Sequence, residues 1–297
     1  MMSNKKLLNI SDLTRIDFDT ILEYSNYLIN KDSVELKGKS IGLLFEKYST
    51  RTRISFQVGI KQLGGNPIDL RFEDLNIQRV ESFEDTFKIF GCYLDALVFR
   101  TTSHEKLITA HKHFQKPLIN ALSDISHPCQ IISDFYTIKD RFSSFKNISI
   151  SWFGDMNNVL FSYFEAAKLY PEITINVFTD ESIYLKNINN FPKSLNVNFY
   201  FEIDESVIKN SDCIMTDVFT SMNDLDLEDK DKLLSKFQVN NELMSVTKDS
   251  CIFMHCLPAN IGSEVTQDVL SSNKSVTLEQ AKNRLIAQKG ILKWLNI

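Results

Sequence analysis

The stretch SIGLLFEKYSTRTRISF, residues 40–56, joins an apolar run to a dense polar cluster and then to a second apolar pattern. Residues 40–46 have the continuous apolar character of a buried strand, and after Arg51 apolar residues recur at helical spacing. Between these segments, three hydroxyl side chains and two arginines occupy residues 49–53. A solvated helix start would explain the hydroxyls, since Ser and Thr are good N-caps. A binding role would explain the arginines as well.

The rest of the chain repeats this alternation of strand and helix in two halves. Before a helix predicted from Pro128 to about Arg141, strand-like runs lie at residues 40–46, 67–70, 96–100 and 117–120. After it, they lie at residues 148–154, 174–179, 196–201, 212–219 and 251–256. The alternation predicts an α/β fold of two doubly wound parallel-sheet domains, joined by an inter-domain helix and a C-terminal helix. We place the domains at residues 1–127 and 128–276, and expect the C-terminal helix, residues 277–297, to pack back on the first.

Composition and charge exclude several classes of protein. The chain of 297 residues has a formal net charge of −5, which provides no positive field for a nucleic acid. No apolar run approaches the roughly 18–20 residues that span a bilayer, and the first apolar stretch is too short for a signal peptide. Five scattered cysteines without a CxxC pair indicate free thiols. We therefore expect a cytoplasmic protein that binds neither nucleic acid nor membrane.

Unusual polar residues cluster where the predicted strands end. In an open parallel sheet, ligands bind beyond the carboxyl ends of the strands. Six such places carry polar residues, which are Ser49–Arg53, Arg100, His127 with Gln130, Asp155 with Asn158, Asp217, and His255 with Cys256. Solvated charges, helix caps, turn residues and buried cysteines are common at single positions of this kind. Six of them together favour a ligand site.

Residues 49–53 have the features of an anion site. The first N–H groups of a helix lack partners within the helix, and the helix dipole favours negative charge there. Hydroxyls and a guanidinium fork would form a phosphate cradle without glycines, and Arg100 would add a second guanidinium. A nucleotide site is not predicted, because GKS at residues 38–40 lacks the first glycine of a P-loop and precedes its strand. His111 and His113 are two positions apart on a predicted helix, so they do not form a metal pair.

The ordered set of motifs resembles the aspartate/ornithine carbamoyltransferase family over essentially the whole chain. The motifs are STRTR, Arg100, HPCQ, DMNN, DVFTSM, HCLPA and KNRLIAQK. HCLP together with D-x-x-x-S-M is similar to the ornithine branch of the family and unlike the aspartate branch. The resemblance implies transfer of the carbamoyl group of carbamoyl phosphate to the side-chain amine of L-ornithine, giving L-citrulline and phosphate in arginine metabolism. It also implies a homotrimer that uses no cofactor and no metal.

The same resemblance implies roles for individual positions. The first domain would bind carbamoyl phosphate, and the second would bind ornithine. The residues expected at carbamoyl phosphate are Ser49, Thr50, Arg51, Thr52, Arg100, His127, Gln130, Cys256, Leu257 and Arg284. Those expected at ornithine are Asn158, Asp217, Ser221 and Met222. The expected catalytic residues are Arg51, His127, Cys256 and Asp217.

Departures from the family pattern bear on these roles. NIQRVE, residues 76–81, replaces a glycine-containing loop that helps to hold phosphate, and leaves Asn76 and Arg79 as candidate ligands. Asn223 follows Ser221 and Met222 where glycine is usual, and Lys282 stands where glutamate often precedes Asn-Arg. Two alternatives stay open. One is a carbamoyltransferase for another amine, putrescine or an acylated ornithine, and the other is a non-catalytic relative of the family.

Overall fold

The computed structural model of the chain describes residues 5–29, 31, 33–75, 80–189, 196–220 and 227–297. The chain divides into two compact units: unit 1 is Met1–Tyr136 with Lys282–Ile297, and unit 2 is Thr137–Ala281. The division falls inside the helix that begins at Pro128, whereas the sequence analysis placed the domain boundary just before this helix. The limits of the two functional domains stay a prediction.

Unit 1 is built around a five-stranded parallel sheet. Its strands in chain order are β1 (Lys6–Leu7), β2 (Ser40–Phe45), β3 (Asn66–Arg71), β4 (Ala96–Arg100) and β5 (Leu118–Leu122). The helices that accompany them are α1 (Arg15–Tyr27), α2 (Thr50–Gln62), α3 (Phe83–Tyr93), α4 (His104–Phe114) and α5 (Pro128–Phe142), of which α5 continues into unit 2. The strand order is β1-β5-β4-β2-β3, and every described pair is parallel.

The order of strands in unit 1 creates a crevice beside β2. Within the sheet, β3 lies next to β2 on one side and β4 lies next to β2 on the other, so the chain reverses direction across the sheet after β3. The helices that follow β2 and β4 therefore lie on opposite faces, and ligands bind at such a reversal of strand order. Residues 41–45 of β2 and 96–99 of β4 are buried, as expected for a parallel sheet covered on both faces.

Unit 2 repeats this plan with its own sheet. Its strands are β6 (Ser149–Phe153), β7 (Thr174–Phe178), β8 (Val197–Tyr200), β9 (Cys213–Thr216) and β10 (Ile252–His255). Its helices are α6 (Asn158–Leu169), α7 (Glu181–Asn187), α8 (Glu205–Ile208), α9 (Leu227–Leu234), α10 (Asn241–Ser245) and α11 (Gln267–Leu270). The order β10-β9-β6-β7-β8 places the reversal between β6 and β9. The last helix of the chain, α12 (Thr277–Leu295), begins in unit 2 and ends in unit 1.

The predicted α/β fold with two doubly wound parallel sheets is confirmed. Each predicted strand is present within one or two residues of its expected limits, except at the second-half strand 212–219, which is shorter. The sequence analysis missed β1, because two residues are too few to show a pattern; β1 pairs with β5 through Lys6 and Leu7. In the described ranges, no helix has both the length and the apolar character that a membrane crossing requires.

The C-terminal part of α12 packs very closely on α1 inside unit 1. A Cβ atom added to Gly290 would lie 2.1 Å from the Ser25 hydroxyl and 2.5 Å from the Ile21 carbonyl oxygen. On a neighbouring face of α12, buried Lys289 donates to the Lys31 carbonyl at 3.0 Å and to the Gln62 side-chain oxygen at 3.2 Å. Because Arg284 lies on the same helix, this packing fixes the position of a candidate site residue.

We expect Gly290→Ala to destabilise the protein, because the added methyl group has no room against backbone atoms of α1. Overpacking of this kind costs about 1–3 kcal/mol, more than the ~1 kcal/mol that alanine gains over glycine in a helix. Gly59→Ala is the matched control, since its Cβ would meet Leu285 and Lys289 side-chain atoms at 3.4 Å, an ordinary contact. Thermal unfolding should show a lower Tm for Gly290→Ala and not for Gly59→Ala. Equal Tm values for the two variants would contradict the packing described.

Candidate active site

The amino end of α2 is an open helix terminus. Ser49 has the extended backbone of an N-cap, but its hydroxyl makes no capping hydrogen bond, and the first turn contains no acidic residue. In the described part of the chain six other helices have a side-chain cap, whereas the N-cap side chains of α4 and α11, like that of α2, make no capping bond. The capping residues of the six are Thr14, Ser82, Asn157, Asp180, Asp204 and Asn240. The first N–H groups of α2 and its dipole therefore favour an anion at residues 49–52.

Arg100 reaches this terminus from the neighbouring strand. Because β2 and β4 pair in parallel, Arg100 lies opposite Phe45 at the carboxyl ends of both strands. Its Nη1 atom donates a hydrogen bond to the Ser49 hydroxyl at 3.1 Å. An anion at the open end of α2 would thus meet a guanidinium group as well as backbone N–H groups, and charge-assisted bonds of this kind are the strong ones.

A second arginine approaches the same helix end from α12. Arg284 is 4% exposed, and its Nη2 atom donates to the hydroxyl of Thr52, which is also buried. Arg51 lies in the first turn of α2 and is exposed. The structure therefore brings three arginines, Arg51, Arg100 and Arg284, to one end of unit 1.

His127 is the residue on which these arginines converge. It is 4% exposed and directly precedes α5. Burial lowers the pKa of His127 well below its ordinary value of 6.5, and the guanidinium groups of Arg284, Arg100 and Arg51 lower it further. The imidazole is therefore neutral near pH 7, and it is surrounded by positive charge.

Gln130 presents a hydrogen-bond acceptor in the same part of unit 1. Its side chain is fully buried, and Nε2 donates to the Asp134 carboxylate at 2.8 Å. A carboxylate only accepts hydrogen bonds, so this contact fixes which end of the amide is nitrogen. The other end, Oε1, is buried without a hydrogen-bond partner among the described residues. A buried acceptor in this state is costly unless a ligand or water donates to it.

Some residues of the predicted set lie elsewhere. Arg53 does not take part in the cluster, because its Nη1 donates to both carboxylate oxygens of Asp69, at 2.7 and 2.8 Å. Its guanidinium also lies 4.8 Å from the ring centre of Phe45. Asn76 and Arg79 lie outside the described residues.

In unit 2, Asp217 is the centre of a hydrogen-bonded group at the reversal between β6 and β9. It follows β9, is 8% exposed, and accepts from the Cys256 thiol at 2.8 Å through Oδ1. Through Oδ2 it accepts from Asn157 Nδ2, also at 2.8 Å. Asn157 in turn caps α6, because its Oδ1 accepts from the N–H groups of Val159 and Leu160. The carboxylate is therefore held in one orientation by two elements of the unit.

The backbone around Cys256 and Leu257 is held by buried His255. Leu257 has a φ of +55° and a cis peptide bond to Pro258. Its N–H donates to His255 Nδ1 at 2.8 Å, and His255 Nε2 lies 3.2 Å from Oε1 of the fully buried Glu264. A leucine at positive φ is unfavourable, so these contacts compensate for the backbone strain beside Cys256.

Ligand atoms suited to a metal occur in this group. One such atom from each of Asp217, His255 and Cys256 lies within 4.8 Å of the others. However, the Asp217 oxygens accept from Cys256 and Asn157, and His255 Nδ1 accepts from Leu257. A metal would have to displace these hydrogen bonds, so the group is better suited to orienting a polar ligand.

The remaining predicted ornithine residues have different outcomes. Asn158 is the first residue of α6, next to Asn157, and is partly exposed. Ser221 and Met222 lie outside the described residues. Three residues of these networks were missed by the sequence analysis, namely Asp134, Asn157 and Glu264. Asp134 stands four positions after Gln130 on a helix, a spacing that brings side chains together and could have revealed it.

The chain matches known sequence families through both units. Residues 5–140 match the family model described as aspartate/ornithine carbamoyltransferase, carbamoyl-P binding domain. Residues 146–295 match the one described as aspartate/ornithine carbamoyltransferase, Asp/Orn binding domain. The ornithine carbamoyltransferase of Bradyrhizobium diazoefficiens is 36% identical over 299 residues, which cover 98% of this chain and 97% of that protein.

Solved structures show the same similarity. The ornithine carbamoyltransferase from Thermus thermophilus superposes with a TM-score of 0.87 at 30% identity, covering 98% of this chain and 99% of that one. The ornithine carbamoyltransferase from Pyrococcus furiosus superposes with a TM-score of 0.86 at 35% identity, covering 98% and 96% of the two chains. Both the sequence and the fold of this chain are therefore similar to these proteins over nearly their whole length.

We expect Arg284→Gln to raise the pKa of His127, because Arg284 is the positive charge that lowers this pKa most. In the native protein this pKa is below that of an unfolded histidine, so acidification through pH ~6.5 protonates the unfolded chain first and lowers the free energy of unfolding. Nuclear magnetic resonance of the imidazole, followed against pH, measures the pKa. Arg53→Gln is the control, since Arg53 is paired with Asp69. A His127 pKa that Arg53→Gln raises as much as Arg284→Gln does would contradict the convergence described.

Proposed function

The chain belongs to the aspartate/ornithine carbamoyltransferase family, and we propose that it transfers the carbamoyl group of carbamoyl phosphate to the side-chain amine of L-ornithine. The products are L-citrulline and phosphate, and the reaction is part of arginine metabolism. Support comes from the relatives named ornithine carbamoyltransferase and from two sets of polar side chains, one in each unit. The set in unit 1 suits an acyl phosphate, and the set in unit 2 suits an amino acid.

The open end of α2 is the proposed phosphate site. The phosphate group of carbamoyl phosphate is held by Ser49, Thr50, Arg51, Thr52 and Arg100. The hydrogen bond between Arg100 and Ser49 supports this assignment, because it holds a guanidinium at the helix terminus before any ligand arrives. Charge-assisted bonds and the helix dipole act in the same direction on a dianion.

The orientation of Gln130 is the observation that carries the proposal most directly. Gln130 Oε1 is a buried acceptor to which none of the described residues donates, in the same unit as the cluster of positive charges. Carbamoyl phosphate has an amide nitrogen that donates hydrogen bonds, a group that a simple phosphate or an acetyl phosphate lacks. Arg51, Thr52 and His127 then face the carbonyl oxygen, and Gln130 accepts from the carbamoyl nitrogen.

Further proposed contacts complete the carbamoyl phosphate site. Arg284 approaches the carbamoyl group, which is supported by its hydrogen bond to Thr52. From the family pattern we also assign backbone contacts with the carbamoyl group to Cys256 and Leu257, and contacts with the phosphate to Asn76 and Arg79.

The group around Asp217 is the proposed ornithine site. Ornithine is held by Asn158, Asp217, Ser221 and Met222. The buried Asp217 carboxylate is held in one orientation by its hydrogen bonds, which suits an ammonium group of the substrate. Its hydrogen bond from Cys256 supports a joint role for these two residues in selecting the substrate and receiving the proton of the attacking amine.

The chemistry places two demands on the enzyme. The amine must attack as the neutral base, and with a free pKa of about 10.4 its deprotonation at pH 7 costs roughly 4.6 kcal/mol. The tetrahedral intermediate then carries negative charge on the former carbonyl oxygen. Donors that are already in place at this oxygen contribute most, about 2.7–4 kcal/mol for each one. Arg51 and the uncharged His127 are the proposed donors.

Arg51→Ala should lower kcat by roughly 100-fold or more, because one donor to the developing oxyanion is lost. Arg53→Ala is a matched control two residues away, since Arg53 pairs with Asp69 at the surface and such pairs contribute little. Steady-state citrulline production measures both variants. A near-normal kcat in Arg51→Ala would remove Arg51 from the mechanism.

Gln130→Met should lower kcat/KM for carbamoyl phosphate by about tenfold, through a higher KM and a lower kcat. Methionine has a similar length, but it lacks the buried acceptor. Asp134→Asn tests the orientation of Gln130 without touching the substrate. An asparagine there can donate to Gln130 Oε1, so we expect a similar loss of activity. Wild-type kinetics in Asp134→Asn would contradict the role given to Oε1.

The choice of amine separates the proposed function from its alternatives. We expect kcat/KM for ornithine to exceed that for putrescine or N-acetylornithine by about 100-fold or more, since a site that pairs buried polar groups rejects a substrate that leaves them unpaired. The rate should also rise about tenfold per pH unit below the amine pKa of ~10.4. Carbamoyl transfer to each amine between pH 6 and 9 measures both effects. Preference for another amine, or no transfer to any, would favour one of the alternatives.

We also propose a homotrimer that acts in the cytoplasm. Apolar side chains are exposed on α2 and α3 and just before α2, namely Tyr48, Ile54, Val58, Ile89 and Tyr93. Exposed apolar side chains can mark protein contacts, so these residues of unit 1 are candidates for contact with another copy of the chain. All five cysteines are free thiols, which suits a reducing compartment. A monomeric mass in light scattering at assay concentrations would contradict the trimer.

A further inference from the structure

A buried polar network holds the turn that leads into His127. Ser126 is tied to Ser123 twice, since its N–H donates to the Ser123 hydroxyl at 3.2 Å and its carbonyl accepts from the Ser123 N–H at 3.0 Å. Asn120, on β5, donates from Nδ2 to the Ser126 carbonyl at 3.2 Å and to the Ser123 hydroxyl at 3.3 Å. The same Nδ2 lies 2.8 Å from the Leu8 carbonyl oxygen. These three side chains are at most 2% exposed.

His104 connects this turn to α4. Its backbone N–H donates to the Asp124 carboxylate at 2.7 Å, so that a residue of the turn caps the first amide of the helix. Its Nδ1 lies 2.9 Å from the Ser123 hydroxyl, and its Nε2 lies 3.3 Å from Nδ2 of Asn9. The imidazole of His104 is thus two hydrogen bonds away from the backbone of Ser126, the residue before His127.

The hydrogen bonds of His104 require its neutral form. Asn9 Nδ2 is a donor, so His104 Nε2 must accept and Nδ1 must carry the proton that reaches Ser123. A second proton on Nε2 would face the donor of Asn9. Burial lowers the pKa of His104 below 6.5, Asp124 and Asp12 raise it, and Lys6 lowers it. The imidazole is neutral above pH ~6.5 and becomes protonated only in more acidic solution.

We propose that Asn120, Ser123 and His104 are positioning residues that hold the His127 imidazole in place for catalysis, and that protonation of His104 releases this hold. The inference rests on the proposed carbamoyl transfer. None of the three belongs to the proposed substrate contacts; they act through the backbone of residues 123–126. His104 therefore gives the enzyme an acidic limit to its activity, separate from the ionisation of the substrate amine.

His111 provides a matched control on the same helix. It lies seven positions after His104, so that both point to one side of α4. Burial lowers its pKa, and Lys6 and Asp12 act on it as they do on His104. Its buried Nδ1, however, has no hydrogen-bond partner in the described part of the chain. Replacing His111 thus removes a similar titration without removing a bond to the turn.

The test compares kcat/KM for ornithine against pH, from 5.5 to 8.5, in the wild type and in His104→Asn, His111→Asn and Ser123→Ala. On a logarithmic plot the substrate amine gives a slope of about one per pH unit. Below pH ~6.5 the plot for the wild type and for His111→Asn should become steeper than this slope. His104→Asn should not steepen, because the asparagine amide can still bond Ser123 but does not titrate. Ser123→Ala should lose about tenfold in kcat at pH 8, the size of a lost hydrogen bond.

A second measurement is independent of catalysis. The His127 imidazole, followed by nuclear magnetic resonance, should report the titration of His104 in the wild type and in His111→Asn, and not in His104→Asn. Thermal unfolding at pH 8 confirms that each variant is folded. Steepening in His104→Asn equal to that of the wild type, or wild-type kcat in Ser123→Ala, would overturn the inference. A wild type that makes no citrulline would instead contradict the proposed function, and the resonance measurement would still decide the role of His104.

Discussion

Three guanidinium groups act on one buried imidazole in unit 1, and this concentration of positive charge is the constraint on which the site depends. Like charges that are partly removed from water repel one another strongly, so the arrangement needs rigid supports and favours the arrival of an anion. The supports come from separate elements, namely β4 for Arg100, α2 for Arg51 and α12 for Arg284. The close packing of α12 on α1 at Gly290 belongs to the same constraint, because it holds Arg284 in place against this repulsion.

The two units have the same kind of fold but differ in the hydrogen-bonding state of the polar groups at their crevices. In unit 1 the crevice offers two kinds of open group: the N–H donors of the uncapped end of α2, and the acceptor Gln130 Oε1, which has no donor among the described residues. In unit 2 the central carboxylate is already satisfied on both oxygens, by Cys256 and Asn157. Open donors suit a dianion that brings its own acceptors. A satisfied and oriented carboxylate suits a substrate that arrives with an ammonium group.

Much of the fold could be predicted because a parallel sheet buried on both faces leaves a strong trace in the sequence. β2 and β4 are continuous apolar runs, and no polar pattern competes with them. β1 could not be predicted, since two residues carry no pattern and their pairing with β5 depends on a distant part of the chain. The polar residues at strand ends could be used to predict the site, because parallel strands bring their carboxyl ends to one edge of the sheet.

The sequence by itself determined which chemical groups are available and near which strand ends they lie, because short-range periodicity and motif order are properties of the chain alone. Only the tertiary structure decided which of two similar neighbours makes a given contact. Arg51 and Arg53 are alike in chemistry, but two positions on a helix are about 200° apart, and Arg53 turns to Asp69. Asn157, rather than Asn158, holds Asp217 for a comparable reason, and the links from Gln130 to Asp134 and from His104 to Ser123 follow from packing. Hydrogen bonds depend on distance and direction within a few tenths of an ångström, which a one-dimensional pattern does not contain.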